Sequence, residues 1–192
     1  MVIIGLGTAG ANVAKCFDKW PQYRIITLEV GKEIPLQTNV EAYEENTPNF
    51  SEIFENIDDE VWFVVSGAAK VAACSLAILE QIKDKKINVL HISMDPVFLS
   101  TKAAMRERVC FQVLQQYARC GLLHAIYLIS NECVLQILGD VQFSEASEKI
   151  NEMVSSMVHY FNIYQNTEPF MGYKISPKEI SRIRTFGVVD LE

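Results

Sequence analysis

The opening of the chain, residues 1–17, constrains the fold more than any other stretch. It reads MVIIGLGTAGANVAKCF: a short apolar run passes directly into closely spaced glycines, and apolar residues then recur at helical spacing. This order predicts a buried strand, a tight turn and a helix. Glycines at such a turn let the backbone approach a phosphate, whose charge is attracted by the free N–H groups of the helix start. A tight turn that binds nothing is the alternative.

Strand-like and helix-like segments alternate along the rest of the chain. Continuous apolar runs predict further strands at residues 23–30, 60–65, 87–93 and 123–129. Helical periodicity predicts helices at residues 66–85, 100–120, 131–138 and 145–164, with a short one near 50–57 inside a loop-rich crossover over 32–59. The alternation predicts an α/β fold with a three-layer, doubly wound, mainly parallel sheet of Rossmann-like type.

Composition limits the classes of protein that fit this pattern. With 192 residues and 49% apolar content, the chain is long enough to bury one core. Its net charge of -7, without a long basic run, argues against a nucleic-acid partner. The absence of a long apolar run and of a signal-peptide pattern argues against a membrane partner and predicts a cytoplasmic location. The five cysteines, without a C-x-x-C pair, are expected to be small core residues in a reducing compartment.

Ligands of parallel sheets bind outside the carboxyl ends of the strands, so the residues that follow each strand are the candidates for a site. One interpretation is a small NAD-type dinucleotide-binding module. Gly5, Gly7 and Gly10 fit its fingerprint, and Glu29 lies about 20 residues further on, where it could accept hydrogen bonds from a ribose. No paired carboxylates, activated nucleophile or metal-ligand spacing accompanies the turn, and the three histidines are isolated.

The same opening resembles a different nucleotide loop. The stretch GLGTAGANVA resembles the first loop of the tubulin and FtsZ family, typically G-x-G-G-x-G-x-N-A, with Asn12 at the place of the family's asparagine. Further segments follow in the family's order. DEVWFVVSGAA is similar to the strand before its phosphate loop, INVLHISMDPVFLS to the next strand and connection, AIYLISNE to the strand ending in I-P-N-D, and KINEMVSSMVHYF to the long central helix.

This resemblance implies a guanine-nucleotide site that would hold GTP or GDP. Asn131 and Asn151 stand at the positions of the family's guanine-binding side chains. The resemblance, together with the glycine turn, assigns these candidate binding residues: Gly5, Gly7, Thr8, Ala9, Gly10, Asn12, Ser66, Gly67, Ala68, Asn131 and Asn151.

The chain also departs from the family in its phosphate loop and in the acidic motif that follows the central helix. The family's phosphate loop, G-G-G-T-G-[ST]-G, is replaced by SGAA at residues 66–69, which removes glycines whose backbone N–H groups would wrap the phosphates. After the central helix the family has N-x-D-x-x-D, where this chain offers only Glu168. We therefore assign no catalytic residue, regard GTPase activity as doubtful, and leave open whether any nucleotide binds.

Several candidates also have plain structural interpretations. Asn12 could bond to nearby backbone near the start of its helix. Ser66 and Asn131 could act as N-caps of the helices that follow them. Lys70 could be a solvated side chain, and Met153 and Met157 could belong to the core.

Three hypotheses for function follow. The favoured one is a divergent single-domain tubulin/FtsZ-like protein with a reduced or lost nucleotide site, which acts as a structural or assembly component through protein partners or self-assembly. The alternatives are a functional GTP-binding polymer protein and the NAD-type module.

Residues 1–165 are predicted to form the nucleotide-binding-fold domain. Residues 166–192 are predicted to form a C-terminal extension, with Phe170, Met171, Tyr173 and the strand-like residues 182–191 suited to docking on a neighbour or its sheet edge.

Overall fold

The computed structural model describes residues 1–30, 46–57 and 60–188. Most of the predicted crossover at 32–59 lies outside these described residues. The part that is described contains a short helix, α2 (Ser51–Phe54), at the place where a short helix was predicted.

Within the described residues, six strands form one sheet in which every pair is parallel. Their bounds are β1 (Val2–Leu6), β2 (Arg24–Leu28), β3 (Glu60–Ser66), β4 (Lys86–Ser93), β5 (Ala125–Ser130) and β6 (Ile183–Thr185). The order across the sheet is β2-β1-β3-β4-β5-β6, so the chain reverses its direction of travel between β1 and β3. The predicted α/β class with a doubly wound parallel sheet is confirmed. The reversal opens a crevice at the carboxyl ends of β1 and β3, where such sheets bind ligands.

Helices cover both faces of the sheet. Besides α2, the α-helices are α1 (Gly7–Lys15), α3 (Ser75–Glu80), α4 (Thr101–Arg119), α5 (Asn131–Leu138) and α6 (Phe143–Asn166). Short 3-10 helices occupy Cys16–Lys19, Lys70–Cys74 and Pro96–Phe98. None of the helices within the described ranges combines the length and apolar character that crossing a membrane would require.

The two faces of β3 explain its continuous apolar run. Val61, Phe63 and Val65 enter one core with residues of α3 and α4, whereas Trp62 and Val64 enter a second core with residues of α1 and α6. All five side chains are almost fully buried. A central strand covered on both sides gains burial from every residue, which is why the pattern does not alternate. On α6, Met153 and Met157 pack against this second core, as predicted.

A close approach of backbones joins α1 to the sheet. A Cβ atom on Gly5 would lie 2.4 Å from the carbonyl oxygen of Gly10, and a Cβ on Gly10 would lie 2.4 Å from the carbonyl oxygen of Val64. Gly5 and Val64 are partners in the β1–β3 pairing. These two glycines therefore serve the packing of α1 across β1 and β3, because only a residue without a side chain fits at either position.

The C-terminal segment contributes to the chain's own sheet. Ile183 pairs with Ile126 of β5, and the Arg182 guanidinium donates to the carbonyl of Leu123 at 3.0 Å. The strand predicted to add to a neighbour's sheet thus forms β6 at the edge of this one, within residues 183–185. Phe170 and Met171, which precede it, are exposed. The proposed boundary after residue 165 stays a prediction.

The five cysteines differ in burial, and Cys16 is half-buried between the two extremes. Cys74 and Cys110 are buried, as expected for small core residues, and burial raises the pKa of Cys110 to about 12. Cys120 and Cys133 are exposed, so the core expectation is wrong for them. Cys133 lies on α5 and Cys120 directly follows α4, and the sequence pattern alone does not separate these positions from core ones.

Replacing Gly10 with alanine tests the close approach of α1 to the sheet. Alanine is the better helix former by about 1 kcal/mol, but its Cβ would meet a backbone carbonyl that cannot move aside without shifting β3. Such overpacking typically costs about 1–3 kcal/mol or more. We expect Gly10→Ala to lower the free energy of unfolding, measured by urea denaturation, by about 2 kcal/mol.

Gly187→Ala is the matched control, because nothing lies within 4 Å of a Cβ at that position. Its unfolding curve should stay close to that of the unmodified chain. Equal stability of the Gly10 and Gly187 variants would contradict the packing role of Gly10.

Candidate functional site

A cleft of about 900 Å³ lies at the carboxyl ends of β1 and β3, at the point where the strand order reverses. Several predicted binding residues line it together: Gly7, Thr8, Ala9, Ser66 and Ala68. The other lining residues come from the end of β2 and its connection, from the loop after β3, and from the region after β4: Glu29, Val30, Asn46, Pro48, Ala69, Lys70, Val71, Met94, Leu99 and Ala103.

The glycine turn at the start of α1 forms one wall of the cleft. Gly7 has a φ of +66°, a left-handed conformation that glycine adopts without strain. Leu6 precedes the helix in an extended conformation, and no side chain caps the first turn. The first N–H groups of α1 are therefore left for solvent or a ligand. A Cβ on Gly7 would lie 2.6 Å from Cγ2 of Val71, so the Val71 side chain rests directly on the turn.

The loop after β3 stands where the resemblance places the phosphate loop. Ser66 is the last residue of β3 and is buried. The helix predicted from Ser66 begins instead as a 3-10 helix at Lys70, whose N-cap is Ala69, without a side-chain cap. The N-cap role predicted for Ser66 is therefore wrong. Its backbone carbonyl accepts from the N–H of Ala69 at 3.1 Å, which closes a turn before the helix can start.

Helix α4 holds this loop from the opposite side. The Arg106 guanidinium donates to the carbonyl of Ala68 through Nε at 3.3 Å and through Nη2 at 3.2 Å. A Cβ on Gly67 would lie 2.5 Å from Nε2 of His91 and 3.2 Å from Cγ of Glu107. Gly67 is thus required for close packing against a polar layer below the loop. The conformation of residues 66–69 depends on these contacts as much as on the local sequence.

That polar layer was not found from the sequence. His91 is 3% exposed, lies tilted against the ring of Phe111 and has no hydrogen-bond partner for Nε2. Burial lowers the pKa of His91 to about 4, against the effect of a hydrogen bond to its own backbone. Burial also raises the pKa of Glu107, although its carboxylate accepts from the backbone N–H of Met94. His91 is thus a packed histidine, and its position under the loop has no local sequence signal.

The remaining predicted residues fall outside the lining of the cleft. Gly5, Gly10 and Gly67 are sites of close packing, where a Cβ atom would clash with a neighbouring group. Asn12 is exposed on α1, one turn beyond Thr8, and its carbonyl accepts from the thiol of Cys16 at 3.4 Å.

The two asparagines assigned to guanine behave differently from each other. Asn131 is not the cap of α5, as one interpretation held, because the Ser130 hydroxyl accepts from the N–H of Cys133 at 3.3 Å. The Oδ1 atom of Asn131 is buried and has no hydrogen-bond partner. Asn151 lies half-buried on α6. Neither of them lines the cleft.

Comparison with solved structures gives a clear match of fold. An empty FtsZ dimer from M. jannaschii is similar with a TM-score of 0.65 at 13% identity, over 89% of this chain and 56% of that chain. A point mutant of M. jannaschii FtsZ is similar with a TM-score of 0.64 at 12% identity, over 89% of this chain and 58% of that chain. The chain thus spans a little more than half the length of these structures. No protein-family model and no curated protein matches the sequence.

The fold is therefore tubulin/FtsZ-like, which confirms the fold implied by the resemblance. At this level of identity the match concerns the fold alone. Within the described ranges, no group of three or more histidine, cysteine or acidic side chains is arranged to hold a metal ion.

The buried histidine predicts a pH dependence of stability. Because the pKa of His91 is lowered on folding, the unfolded state binds more protons between about pH 6.5 and pH 4. Stability is therefore complete above this window and falls as the pH drops through it, by up to about 3 kcal/mol from this group. The raised pKa of Glu107 acts in the opposite direction.

Urea unfolding at pH 7.5 and 4.5 tests this. The free energy of unfolding should fall less between these two pH values for His91→Gln than for the unmodified chain. Equal losses would contradict this role of His91.

Proposed function

We propose that the chain is a divergent tubulin/FtsZ-like protein with a reduced or lost nucleotide site, which acts as a structural or assembly component through protein contacts. The observation that carries this proposal is the position of Val71. Its side chain rests on Gly7, directly at the turn where a phosphate would approach the first N–H groups of α1. A phosphate at this turn would either displace the Val71 side chain or lie in contact with it. In contact with an alkyl group the anion would lose part of its hydration and gain no hydrogen bond in return.

The charges of the cleft support the same conclusion. Among its described lining residues, Lys70 is the one cationic side chain, and Glu29 places a carboxylate in the same cleft. Both are exposed, so solvent screens their interactions with a ligand. Phosphate binding through side chains requires several converging cations, or a cradle of backbone N–H groups in their place. One exposed lysine beside a carboxylate replaces neither.

The loop at residues 66–69 is also held by hydrogen bonds of its own. The N–H of Ala69 is used inside the turn, by the carbonyl of Ser66. The carbonyl of Ala68 is held by Arg106, so this cation is committed to the loop. A loop fixed by these bonds cannot close around a phosphate unless they break, and each such bond to a charged group contributes about 1.5–3 kcal/mol.

An apolar rim beside the cleft supports a role in protein contacts. We use this name for Met94, Val97, Phe98 and Met105, which follow β4 and enter α4. Val97, Phe98 and Met105 are 83%, 76% and 70% exposed. Neighbouring large apolar side chains that remain this exposed are typical of protein-interaction surfaces. One of the similar FtsZ structures is a dimer, in agreement with a fold that supports contacts between subunits.

Titration calorimetry with GTP, GDP and NAD, each with and without Mg²⁺, tests the state of the cleft. We expect no saturable binding with a dissociation constant below about 100 μM. Micromolar binding of GTP or GDP would overturn the proposal in favour of a GTP-binding polymer protein. Binding of NAD that is lost in Glu29→Ala would overturn it in favour of a dinucleotide-binding module.

Sedimentation velocity over a range of protein concentrations tests the assembly role. We expect self-association that Phe98→Asp weakens at least about tenfold, because a carboxylate buried in an interface loses its hydration. Phe143→Asp is the matched control, since Phe143 is 98% exposed at the start of α6 and lies outside the rim. A single monomeric species at every concentration would contradict self-assembly, and equal effects of both variants would contradict the rim as the interface.

A further inference from the structure

The second half of helix α6 carries no charged side chain. No Asp, Glu, Lys or Arg occurs from residue 153 to residue 167, although 21% of the chain's residues are charged. His159 lies in this stretch, but it is buried against Trp20, and burial lowers its pKa, so it is neutral at pH 7. The first half of the helix, residues 143–152, contains three glutamates and one lysine. The two halves of α6 therefore present different surfaces to solvent.

The outer side of the uncharged half exposes large side chains. Tyr160, Ile163 and Tyr164 are 67%, 43% and 47% exposed, and their spacing places them next to one another on the helix surface. On the inner side, Val154 and Val158 are fully buried in the second core. A helix that is covered only on its inner side normally has charged or polar residues outside, whereas one that is apolar all round is covered on both sides.

The segment after α6 enlarges this exposed surface. The Tyr164 hydroxyl donates to the carbonyl of Ile175 at 2.9 Å and accepts from the N–H of Ile175 at 3.1 Å. These two bonds hold Ile175, which is 74% exposed, beside the helix. The neighbouring Lys174 is half-buried and donates to the carbonyl of Gln165 in the last turn of α6. We call Tyr160, Ile163, Tyr164 and Ile175 the neutral face.

The charge of the molecule narrows the kind of partner that this face fits. The chain has a net charge of -7, so an anionic membrane or a nucleic acid would be repelled. A basic protein would be attracted to the glutamates of residues 143–152 more than to the neutral face. In a two-fold contact the same surface patch meets itself, so a patch with charges of one sign repels its own copy. The neutral face avoids this repulsion, and it has the tyrosines and the lack of charge that are typical of interface cores.

We infer that the neutral face is a two-fold contact between two copies of this chain. This contact is separate from the apolar rim of the proposed function. The rim leads into α4, whose buried residues enter the first core, whereas α6 packs against the second core on the other face of the sheet. A molecule can therefore use either contact without the other, and the inference does not depend on the proposed function.

Sedimentation equilibrium of the full chain carrying Phe98→Asp tests the inference without a contribution from the rim. We expect a monomer–dimer equilibrium with a dissociation constant of about 10–100 μM, because the face is small for a stable interface. Adding Ile163→Asp should weaken the dimer at least about tenfold, since it buries a carboxylate in the contact. Ile53→Asp is the matched control, because Ile53 is also 43% exposed on a helix but lies on α2. It should leave the dimer unchanged.

Tyr160→Asp provides a second test if Ile163→Asp unfolds, because Tyr160 is the more exposed residue. Its dissociation constant should also rise at least about tenfold.

Photocrosslinking locates the contact. Tyr160 is replaced with p-benzoylphenylalanine in the Phe98→Asp chain, and equal amounts of ¹⁴N- and ¹⁵N-labelled chains are mixed before irradiation. Cross-linked peptides that carry both labels come from two copies, so mass spectrometry separates them from cross-links within one chain. We expect these mixed peptides to join residue 160 to residues 153–175 of the other copy.

Three outcomes would overturn the inference: a monomer at every concentration of the Phe98→Asp chain up to about 500 μM, equal effects of Ile163→Asp and Ile53→Asp on the dimer, and mixed cross-links that fall only outside residues 153–175. None of these outcomes bears on the rim, because Phe98→Asp is present throughout. Failure of this inference is therefore distinguishable from failure of the proposed function.

Discussion

The structure depends on one close contact between backbones, where α1 crosses β1 and β3. Gly5, Gly10 and Val64 meet there without side chains between them, at distances that a Cβ would shorten to 2.4 Å. This contact sets the depth at which α1 lies on the sheet, and it therefore sets where the first turn of α1 opens. The cleft follows from it, because Gly7 and the residues after β3 come to the same edge only when the helix lies this close. Without this contact α1 would lie further from the sheet, and both the cleft and the second core would be disrupted.

The two ends of the sheet differ in how they treat polar groups. At the carboxyl ends, the loop after β3 uses its backbone in its own turn and in bonds to Arg106, and an apolar side chain rests on the glycine turn. At the amino ends, Asn88 and Gln165 line a cavity, and Oδ1 of Asn88 and Nε2 of Gln165 are buried without a hydrogen-bond partner. Burial without a partner is costly, so such atoms persist in a core only where something else pairs with them or where their loss is tolerated.

The strands, the long helices and the glycine turn were predictable because each depends on a local pattern. Apolar runs such as the one in β3 and the helical spacing in α6 are read directly from neighbours in the chain. The break after β3 was not predictable, since Val71, Cys74 and Ile78 keep a spacing that a 3-10 helix followed by an α-helix also satisfies. What decides between the two is tertiary: the contacts of Arg106 with Ala68 and of Val71 with Gly7. The cavity was missed for the same reason, because Asn88, Gln165 and Arg184 meet only after the whole sheet has formed.

The short edge strand β6 has a consequence for the order in which the molecule assembles. Its partner on β5 lies 57 residues earlier in the chain, with the whole of α6 in between. Contacts at such separation close a large loop and form late, after the local helices and the neighbouring strand pairs. Until β6 pairs with it, β5 is therefore an open edge with unpaired backbone groups. The pairing of β5 with β6 spans three residues, and an unpaired strand edge is a place where a strand of another chain can pair. The concentration of newly made chains thus becomes a variable of folding, separate from any contact made by the finished molecule.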